Sequence, residues 1–422
     1  MNEEFVGIKD YITKTEGIGG RIKTYPEDFV VNEIAIDIKR KSDGKNTILK
    51  VKLKNWENNR FVFKLAMQLG VRRDSIFFAG TKDKRAVKTQ YFCIRNFHDK
   101  VKIDLKDVEI LESFRTDDCI DIGDLIGNEF SVIIRNLNSD AEVKIKKIFE
   151  ELPLKNFPNF FGVQRFGSSR PVTHIVGKYI LNGDYENAVR AYIGLIFDDY
   201  DSQIEARKYF YETGDAENTL KMIDPGKMEY EKILLKHLIE RPGDYAGAIS
   251  RLPRTLRMMF IHGYQSYLFN KILSERMKKY GIVDPLEGDI VLPVDKNGLP
   301  IEDRYIFVNS KNMDKIREKI REGKAYISAI LYGSDSRFAD GEMGEIERKI
   351  VENENINPNM FKIKDIKDIS SKGSRRSISS PVKNFEYYFK ENYAQLNFSL
   401  IRGSYATSLL REFMKVPDLL YY

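Results

Sequence analysis

The chain has 422 residues, of which 42% are hydrophobic and 31% charged, and its net charge at pH 7 is +6. The length predicts two domains, or one domain with a large insertion, and the hydrophobic content excludes a mainly disordered chain. No apolar run approaches the ~18 residues of a membrane span, and residues 1–5 are acidic rather than a basic leader, so we expect a cytoplasmic protein with no membrane partner.

The first part of the chain predicts strands and one helix. Residues 47–54 alternate apolar side chains with lysines, which predicts a half-buried strand. Residues 56–69 have apolar side chains at helical spacing, and Gly70 follows where a helix C-cap belongs. Three further strands are predicted at residues 77–80, 89–94 and 130–135.

From about Phe157 the pattern changes to longer helices. They are predicted at residues 171–181, 188–197, 228–240 and 254–280, the last of them ended by Gly281. The final part returns to a strand at 395–401 and a short helix at 406–414. We therefore expect the chain to leave one domain, build a second, and come back to the first.

Positive charge is concentrated in two segments that are far apart in the sequence. Residues 44–97 contain 13 Lys or Arg against 3 Asp or Glu, and residues 372–415 contain 8 against 3. The rest of the chain is net acidic, so we expect one basic face assembled from both segments, with a polyanion as its partner. An alternative source of the bias is the Lys/Glu-rich composition typical of heat-adapted proteins.

Two kinds of site are excluded by the motifs. Cys93 and Cys119 are too few for a disulfide framework or a CxxC metal site, and the four histidines form no HxxxH or HxH pair, so we predict no bound metal. Residues 17–24 (GIGGRIKT) are similar to a phosphate-binding loop, but Ile22 stands where the second glycine belongs. We therefore expect no nucleotide cofactor.

The most unusual stretch is residues 78–90, where one carboxylate, Asp83, stands among four cations: Lys82, Lys84, Arg85 and Lys88. Nearby positive charge favours the ionised form of a carboxyl group, and an ionised aspartate can act as a nucleophile or a base. The cations could hold the phosphates beside a reacting nucleotide. The local composition alone favours a plainer interpretation, a solvated basic hairpin with Asp83 in surface ion pairs.

Three other segments invite an interpretation as RNA contacts. Residues 156–167 mix aromatic rings, amides and glycines, which suits either the stacking of a base or a hinge between domains. Phe29 precedes a predicted strand, where an aromatic ring is more often part of the core. Residues 370–381 contain Arg375 and Arg376 and are interpreted as a linker or an RNA-facing loop, so removing these two charges is expected to weaken RNA binding and its salt dependence.

Taken together, these segments resemble the D-type tRNA pseudouridine synthases, the TruD family. The matching pieces occur in the order of the family and span nearly the whole chain. They are Lys23 with 26–29 (PEDF), 79–84 (AGTKDK), 127–130 (GNEF), 158–167 (PNFFGVQRFG) and 403–408 (GSYATS), with weaker matches at 288–289 and 329–334.

The resemblance implies isomerisation of a uridine in tRNA to pseudouridine, at position 13 in the D arm, with no metal, cofactor or energy source. Other structured RNAs are further candidate partners. It also implies an α+β fold: a catalytic domain with a mixed or antiparallel sheet, formed by residues 1–156 and 379–422, around an inserted α/β domain at 157–378.

Site residues are carried over from the matching motifs. Asp83 would be the catalytic aspartate, and Phe29, Asn128 and Tyr405 fall at substrate-contact positions. An ionised Asp83 could attack either C6 of the uracil or C1′ of the ribose. Lys23, or a cation of the 82–88 loop, would pair with Asp83. The further expected substrate-binding residues are Lys23, Lys82, Lys84, Gln164 and Arg165.

Two other functional classes compete with this interpretation. The first is a non-catalytic RNA-binding or chaperone protein that retains the fold. The presence of Asp83 in its full motif argues against this class, because an RNA-binding protein does not need a carboxylate among its cations. The second is a metal-dependent nuclease, which needs converging acids, whereas the basic segment 44–97 contains only Glu57, Asp74 and Asp83. Magnesium dependence would distinguish the nuclease from the isomerase.

Overall fold

The structure is a computed structural model, and it describes residues 3–167, 170–197, 201–390 and 392–416. The outer ends of the expected catalytic domain, residues 1–2 and 417–422, lie outside the described residues, as do a few positions of the expected inserted domain. No helix in the described part of the chain is long and apolar enough to cross a membrane.

Strands predominate towards both ends of the described chain, and seven consecutive α-helices lie between residues 158 and 290. The strands of the described residues are β1 Gly19–Arg21, β2 Phe29–Ala35, β3 Asn46–Lys54, β4 Ile76–Phe78, β5 Val87–Ile94, β6 Val108–Thr116, β7 Leu125–Leu137, β8 Asn156–Pro158, β9 Ile290–Pro293, β10 Ile306–Phe307, β11 Ala325–Leu331, β12 Ser374–Ser377, β13 Ser379–Pro381, β14 Lys383–Lys390 and β15 Tyr393–Ile401. The helices are α1 Asn58–Leu69, α2 Ala141–Glu151, α3 Thr173–Leu181, α4 Tyr185–Gly194, α5 Ile204–Thr213, α6 Ala216–Met222, α7 Glu229–Glu240, α8 Tyr245–Ser250, α9 Arg254–Tyr280, α10 Met313–Arg321, α11 Gly341–Asn353 and α12 Ala406–Met414.

The ends of these elements follow local chemistry. Helix α1 begins at Asn58 rather than at the predicted residue 56, because the Glu57 carboxylate accepts hydrogen bonds from the first turn, from the amides of Asn59 and Arg60. It ends at Gly70, whose φ of 64° lies in the left-handed region that glycine adopts without strain. Helix α9 spans the predicted 27 residues and is followed by Gly281.

The main sheet has nine strands. Seven of them lie in the order β14-β15-β7-β2-β5-β3-β6, while β1 pairs with β7 and β4 with β5. Neighbours are antiparallel except β2 and β5, which are parallel, so the sheet is mixed. The expected α+β class with a mixed sheet is confirmed.

Helices cover one face of this sheet in two separate places. Helix α1 packs Phe61 and Leu65 on β3 and β5, and the side chains of α2 and α12 pack on β7 and β15 in a second cluster. Paired residues of neighbouring strands point to the same side. The pairs Val31 with Lys88 and Val51 with Gln90 therefore put polar side chains on the covered face, between the two helix clusters.

A second sheet of four antiparallel strands, β10-β9-β11-β12, belongs to the later part of the chain. Helices α9 and α11 lie against it, and the large second core forms around α9. The beginning of the chain also reaches this core, because Val6 and Ile8 are buried there and Asn270 donates a hydrogen bond to the Val6 carbonyl at 2.9 Å.

A two-stranded ladder lies where the chain passes between the two sheets. Strand β8 pairs antiparallel with β13, so that Phe157 lies opposite Ser380. The chain leaves the main sheet through β8 and returns to it through β13, and the outgoing and returning segments therefore lie side by side.

The two cysteines are paired in the structure. Cys93 on β5 and Cys119 after β6 form a disulfide with a Cα to Cα distance of 5.7 Å. Two cysteines remain too few for a disulfide framework, but this single cross-link was not anticipated. The sequence could not reveal it, because 26 residues separate the two positions and the pairing of β3 with both β5 and β6 brings them together.

The expectation of an RNA-facing loop at Arg375 and Arg376 is wrong. Both arginines lie on β12, and the Arg375 side chain, in a residue only 1% exposed, forms a 2.6 Å ion pair with the buried Glu347. Arg376 is also buried. Buried cations of this kind hold the fold together and do not form a basic surface.

Candidate active site

Asp83 lies in the loop between β4 and β5, and its carboxylate is paired with Lys23. The Lys23 Nζ to Asp83 Oδ2 distance is 2.8 Å, and the Asp83 side chain is about one-third exposed. Of the cations that the sequence left open as partners of Asp83, Lys23 is therefore the one that makes the ion pair.

The Phe29 ring contacts the ammonium group of Lys23. The Lys23 Nζ lies 4.6 Å from the centroid of the Phe29 ring, a cation–π distance. Phe29 itself is only 3% exposed and packs edge-on against Phe130, with ring centroids 5.9 Å apart. The ring is thus part of the core, as general expectation favours, and one of its faces holds the ammonium group that pairs with Asp83.

Lys82 has a different partner from Asp83. Its ammonium group pairs with Glu33 on β2, and both side chains are almost fully buried. The Glu33 carboxylate also accepts a hydrogen bond from the Tyr91 amide at 3.3 Å. Lys84 and Arg85, in contrast, are exposed at the outer side of the loop, and Arg85 donates to the Thr24 carbonyl at 2.6 Å.

Asn128 lies on β7 directly opposite Glu33 of β2. Its side-chain oxygen, Oδ1, is buried and has no hydrogen-bond partner among the described residues. A buried acceptor without a partner is uncommon in folded proteins, and it often marks a place where a ligand or a water molecule completes the hydrogen bonding.

A second group of the expected residues surrounds Tyr405, the residue before α12. The Tyr405 ring lies edge-on to Phe161, with centroids 6.0 Å apart, and Arg165 lies over the same Phe161 ring at 5.7 Å. The Gln164 side-chain oxygen accepts a hydrogen bond from Thr407 at 3.1 Å.

Glycine at position 162 permits this approach. A Cβ atom there would lie 2.6 Å from the Thr407 hydroxyl and 3.1 Å from a ring carbon of Tyr405. The segment with Phe161 and Gln164 can therefore lie against the start of α12 only without a side chain at this position.

Arg376 connects the second sheet to the loop before Tyr405. Its guanidinium donates to the Asn159 side chain at 2.8 Å and to the Gly403 carbonyl at 2.7 Å, and it lies 4.2 Å from the centre of the Phe161 ring. Burial lowers the pKa of Arg376 to about 10. The sequence predicted an exposed, RNA-facing Arg376, whereas the structure buries it between Asn159, Phe161 and Gly403.

The two groups are joined through Gly123. Its amide donates to the Ala79 carbonyl at 2.7 Å, at the start of the Asp83 loop, and its carbonyl accepts from the Arg402 side chain, near Tyr405. The Asp83 loop and the Tyr405 group are thus connected through Gly123. Within the described residues, Asp83 and Tyr405 form no direct ion pair or hydrogen bond with each other.

Several polar residues of the site were missed by the sequence analysis. They are Glu33, Asn58 and Gln90, together with the buried position of Lys88. A signal existed for two of them, because the alternation of β5 puts Lys88 and Gln90 in step with the buried Phe92. The predicted strand began one residue too late, at 89, to include Lys88. Across the described residues, no three His, Cys, Asp or Glu side chains converge as a metal site would require.

Comparisons with known proteins extend over almost the whole chain. Residues 5–413 match the family model described as tRNA pseudouridine synthase D (TruD). The chain is 41% identical over 418 residues to a probable tRNA pseudouridine synthase D of Picrophilus torridus, with 97% of each chain covered. It is 38% identical over 432 residues to the corresponding protein of Methanococcoides burtonii, covering 99% of this chain and 98% of that one.

A solved structure agrees with the sequence relatives. The crystal structure of a protein assigned to tRNA pseudouridine synthase D (TruD) from Methanosarcina mazei superposes with a TM-score of 0.83 at 36% identity, and the match covers 100% of this chain and 99% of that one. By sequence and by fold, the chain belongs to the tRNA pseudouridine synthase D family.

Proposed function

We propose that this protein isomerises the uridine at position 13 of tRNA, in the D arm, to pseudouridine, with Asp83 forming the transient covalent bond. Membership of the family supports the isomerisation of a tRNA uridine. The observation that carries the role of Asp83 is its 2.8 Å ion pair with Lys23, because this pair fixes the position of an accessible carboxylate in a basic loop.

The reaction exchanges one bond to the ribose for another. The bond between N1 of the uracil and C1′ breaks, a bond between C5 and C1′ forms, the proton leaves C5, and N1 gains a proton. Nothing is oxidised or reduced, so no cofactor is required. The Asp83 carboxylate can assist by adding to C1′ of the ribose or to C6 of the base. A C1′ adduct is displaced when C5 becomes bonded to C1′, whereas a C6 adduct is eliminated when the C5 proton leaves and the C5–C6 double bond is restored.

Asn128 and Phe29 are the proposed contacts on the uracil side. The unpartnered Oδ1 of Asn128 is suited to accept the hydrogen bond of a uracil N3–H group. Phe29 is almost fully buried, so its contribution is a small edge of the ring together with the support of Lys23.

The second group is proposed to hold the flipped nucleotide and its flanking backbone. The Tyr405 ring can stack on a base, which contributes on the order of 1–3 kcal/mol and would offset part of the few kcal/mol that unstacking costs. Gln164 and Arg165 lie beside Tyr405 and are suited to sugar and phosphate contacts, as is the exposed Lys84 of the Asp83 loop. The expected contact from Lys82 is not part of this proposal, because its ammonium group is buried against Glu33.

Domain organisation and location are part of the same proposal. Residues 1–156 and 379–422 would form the catalytic domain, and 157–378 the inserted domain. All nine strands of the main sheet come from residues 1–156 and 379–422, which supports this division. We further propose cytoplasmic tRNA as the substrate, with other structured RNAs as additional partners.

The decisive experiment is release of tritium from unmodified tRNA labelled at C5 of uridine, carried out in EDTA. We expect release by the wild type and none by Asp83→Asn, with tRNA affinity changed less than about threefold, because the substitution removes the nucleophile and little contact area. Carbodiimide mapping of the product should locate a single D-arm position.

The control is Asp74→Asn, which removes an exposed acid of the same basic segment, paired there with Arg72. It should keep full turnover. Residual turnover by Asp83→Asn together with a large loss of affinity would contradict the catalytic role. Tight binding without any tritium release by the wild type would instead favour a non-catalytic RNA-binding protein.

A further inference from the structure

Three buried polar side chains lie beneath the loop that carries Asp83. They are Asn58, at the start of α1, and Lys88 and Gln90, on β5, and each is at most 1% exposed. None of them takes part in the ion pair of Asp83 or in the proposed contacts with RNA.

These side chains hold the backbone of the loop. The amides of Asn58 and Gln90 both reach the Gly80 carbonyl, at 3.4 and 3.3 Å, and the Lys88 ammonium reaches the Lys82 carbonyl at 3.4 Å. Lys88 also donates to the side-chain oxygen of Asn58, and the Asn58 amide nitrogen donates to the Gln90 side-chain oxygen at 2.9 Å. One connected network therefore supports the peptides directly before Asp83.

Lys88 is the charged member of this network, and its cation is poorly compensated. Among the described residues no carboxylate forms an ion pair with it, and its neighbours on the adjacent strands are Val31 and Leu53. Burying an unpaired charge is costly, so a fold that retains one has to satisfy it by hydrogen bonds. Here one of those bonds is made to Asn58 and the other to the Lys82 carbonyl of the Asp83 loop.

The charged groups that face Lys88 come from the surrounding elements. Glu57, before α1, and Asp83 favour its charged form, whereas Lys82 opposes it. Lys82 is itself neutralised by Glu33, and Asp83 by Lys23. The removal of Lys88 from water outweighs the two acids and lowers its pKa from 10.5 to about 8.

We propose that Lys88 is a positioning residue, whose ammonium group fixes the 80–82 backbone and thereby holds Asp83 in its reactive position. The inference rests on the proposed role of Asp83. A charge-assisted hydrogen bond is about twice as strong as a neutral one, so loss of the Lys88 proton should loosen the loop. Displacements near 1 Å in an active site slow catalysis by about 10²-fold.

The pH dependence of activity distinguishes a positioning role of Lys88 from a purely structural one. Because the Lys88 pKa is lowered on folding, the unfolded chain binds more protons between about pH 8 and 10.5, and this group makes the fold more stable as the pH rises through that window. Activity should nevertheless fall in the same window. Loss of activity through unfolding would require stability to fall as well.

The experiment compares wild type, Lys88→Met and Lys88→Arg in single-turnover tritium release between about pH 6 and 9.5. We expect Lys88→Met to be slower by about 10²-fold at pH 7, with tRNA affinity within about threefold of wild type. Lys88→Arg should recover most of the rate and lose the decline near pH 8, because the arginine pKa lies above about 12.

The matched control is Lys64→Met, which removes a cation on α1 outside the network and should behave as the wild type. Wild-type rates from Lys88→Met, or the same alkaline decline in wild type and Lys88→Arg, would overturn the proposal. If Lys88→Met does not fold, the wild type and Lys88→Arg still decide it. An active Asp83→Asn would instead refute the proposed function, whereas an inactive Asp83→Asn beside a fully active Lys88→Met refutes only this inference.

Discussion

At the scale of single residues, the side-chain oxygen of Asn128, Oδ1, is a buried acceptor without a hydrogen bond in the described structure. Such an atom typically costs about 1–3 kcal/mol of stability. Asn128 lies opposite Glu33 of the neighbouring strand β2, and the Glu33 carboxylate pairs with Lys82 of the Asp83 loop. The cost of the unpaired Oδ1 to folding and its proposed use in binding uracil are two consequences of one geometry.

We therefore predict that Asn128→Ala separates activity from stability. The value of kcat/KM should fall about 10- to 100-fold, the equivalent of one hydrogen bond to a buried group, while the melting temperature stays equal or rises. Tritium release and thermal unfolding measure the two effects. Asn156→Ala is the control, since Asn156 also has a buried, unpartnered Oδ1 but lies on β8, and it should keep turnover. A lower melting temperature for Asn128→Ala would contradict the assignment.

At the scale of elements, the second core depends on the close crossing of α3 and α9. A Cβ atom on Gly177 of α3 would lie 2.1 Å from the Phe260 carbonyl oxygen of α9, and one on Gly263 would lie 2.9 Å from Thr173. The two helix backbones thus approach each other through glycines on both sides. Helix α9 also carries Asn270, which holds the Val6 and Phe161 carbonyls, so the crossing positions the segment next to Tyr405.

Gly177→Ala should accordingly lower the free energy of unfolding by about 3 kcal/mol, because backbone atoms have to move to admit the methyl group. Urea denaturation measures the change. Gly183→Ala is the comparison: nothing lies within 4 Å of its Cβ position, but its φ is +72°, and the expected loss is only about 1 kcal/mol. Equal losses for the two substitutions would show that the crossing tolerates the extra atom.

Across the whole molecule, positive charge has two separate uses. Lys84 and Arg85 are exposed on the Asp83 loop, whereas Arg375, Arg376 and Arg411 are buried in the fold. Arg411 on α12 pairs with Glu3 near the other end of the chain at 2.8 Å. The basic segment 372–415 therefore contributes less to the RNA-binding surface than its charge count indicates.

This division predicts opposite effects for two charge removals. Arg375→Met should lower the free energy of unfolding by about 3–5 kcal/mol, because it leaves Glu347 buried and unpaired, without changing the salt dependence of tRNA binding. Lys84→Ala should leave stability unchanged and reduce the slope of log K against log salt concentration by about 0.7–0.9, the value for one phosphate contact. Filter binding over a range of KCl concentrations measures both slopes. A larger slope change for Arg375→Met than for Lys84→Ala would contradict this account.

Periodicity predicted the elements well wherever the period was long or its end was marked. The bounds of α9 and α12 agree residue for residue with the sequence, since Gly281 ends the first and Gly403 with Ser404 precede the second. The burial of Arg375 and Arg376 was not predicted, because a short serine-rich strand between polar segments has the composition of a loop. The disulfide was missed for a different reason, since it depends on the pairing of three strands.

By itself, the sequence determined the α+β class, the family through its spaced motifs, and the presence of one carboxylate among cations at Asp83. Only the tertiary structure decided which cation pairs with Asp83, which lysines are buried, and that Asn128 lacks a partner. The physical reason is that local patterns depend on neighbours along the chain, within a helical turn or across one strand. Lys23 and Asp83 are 60 residues apart, and the burial of Lys88 depends on β2, β3 and α1 together, so those properties exist only when the sheet has formed.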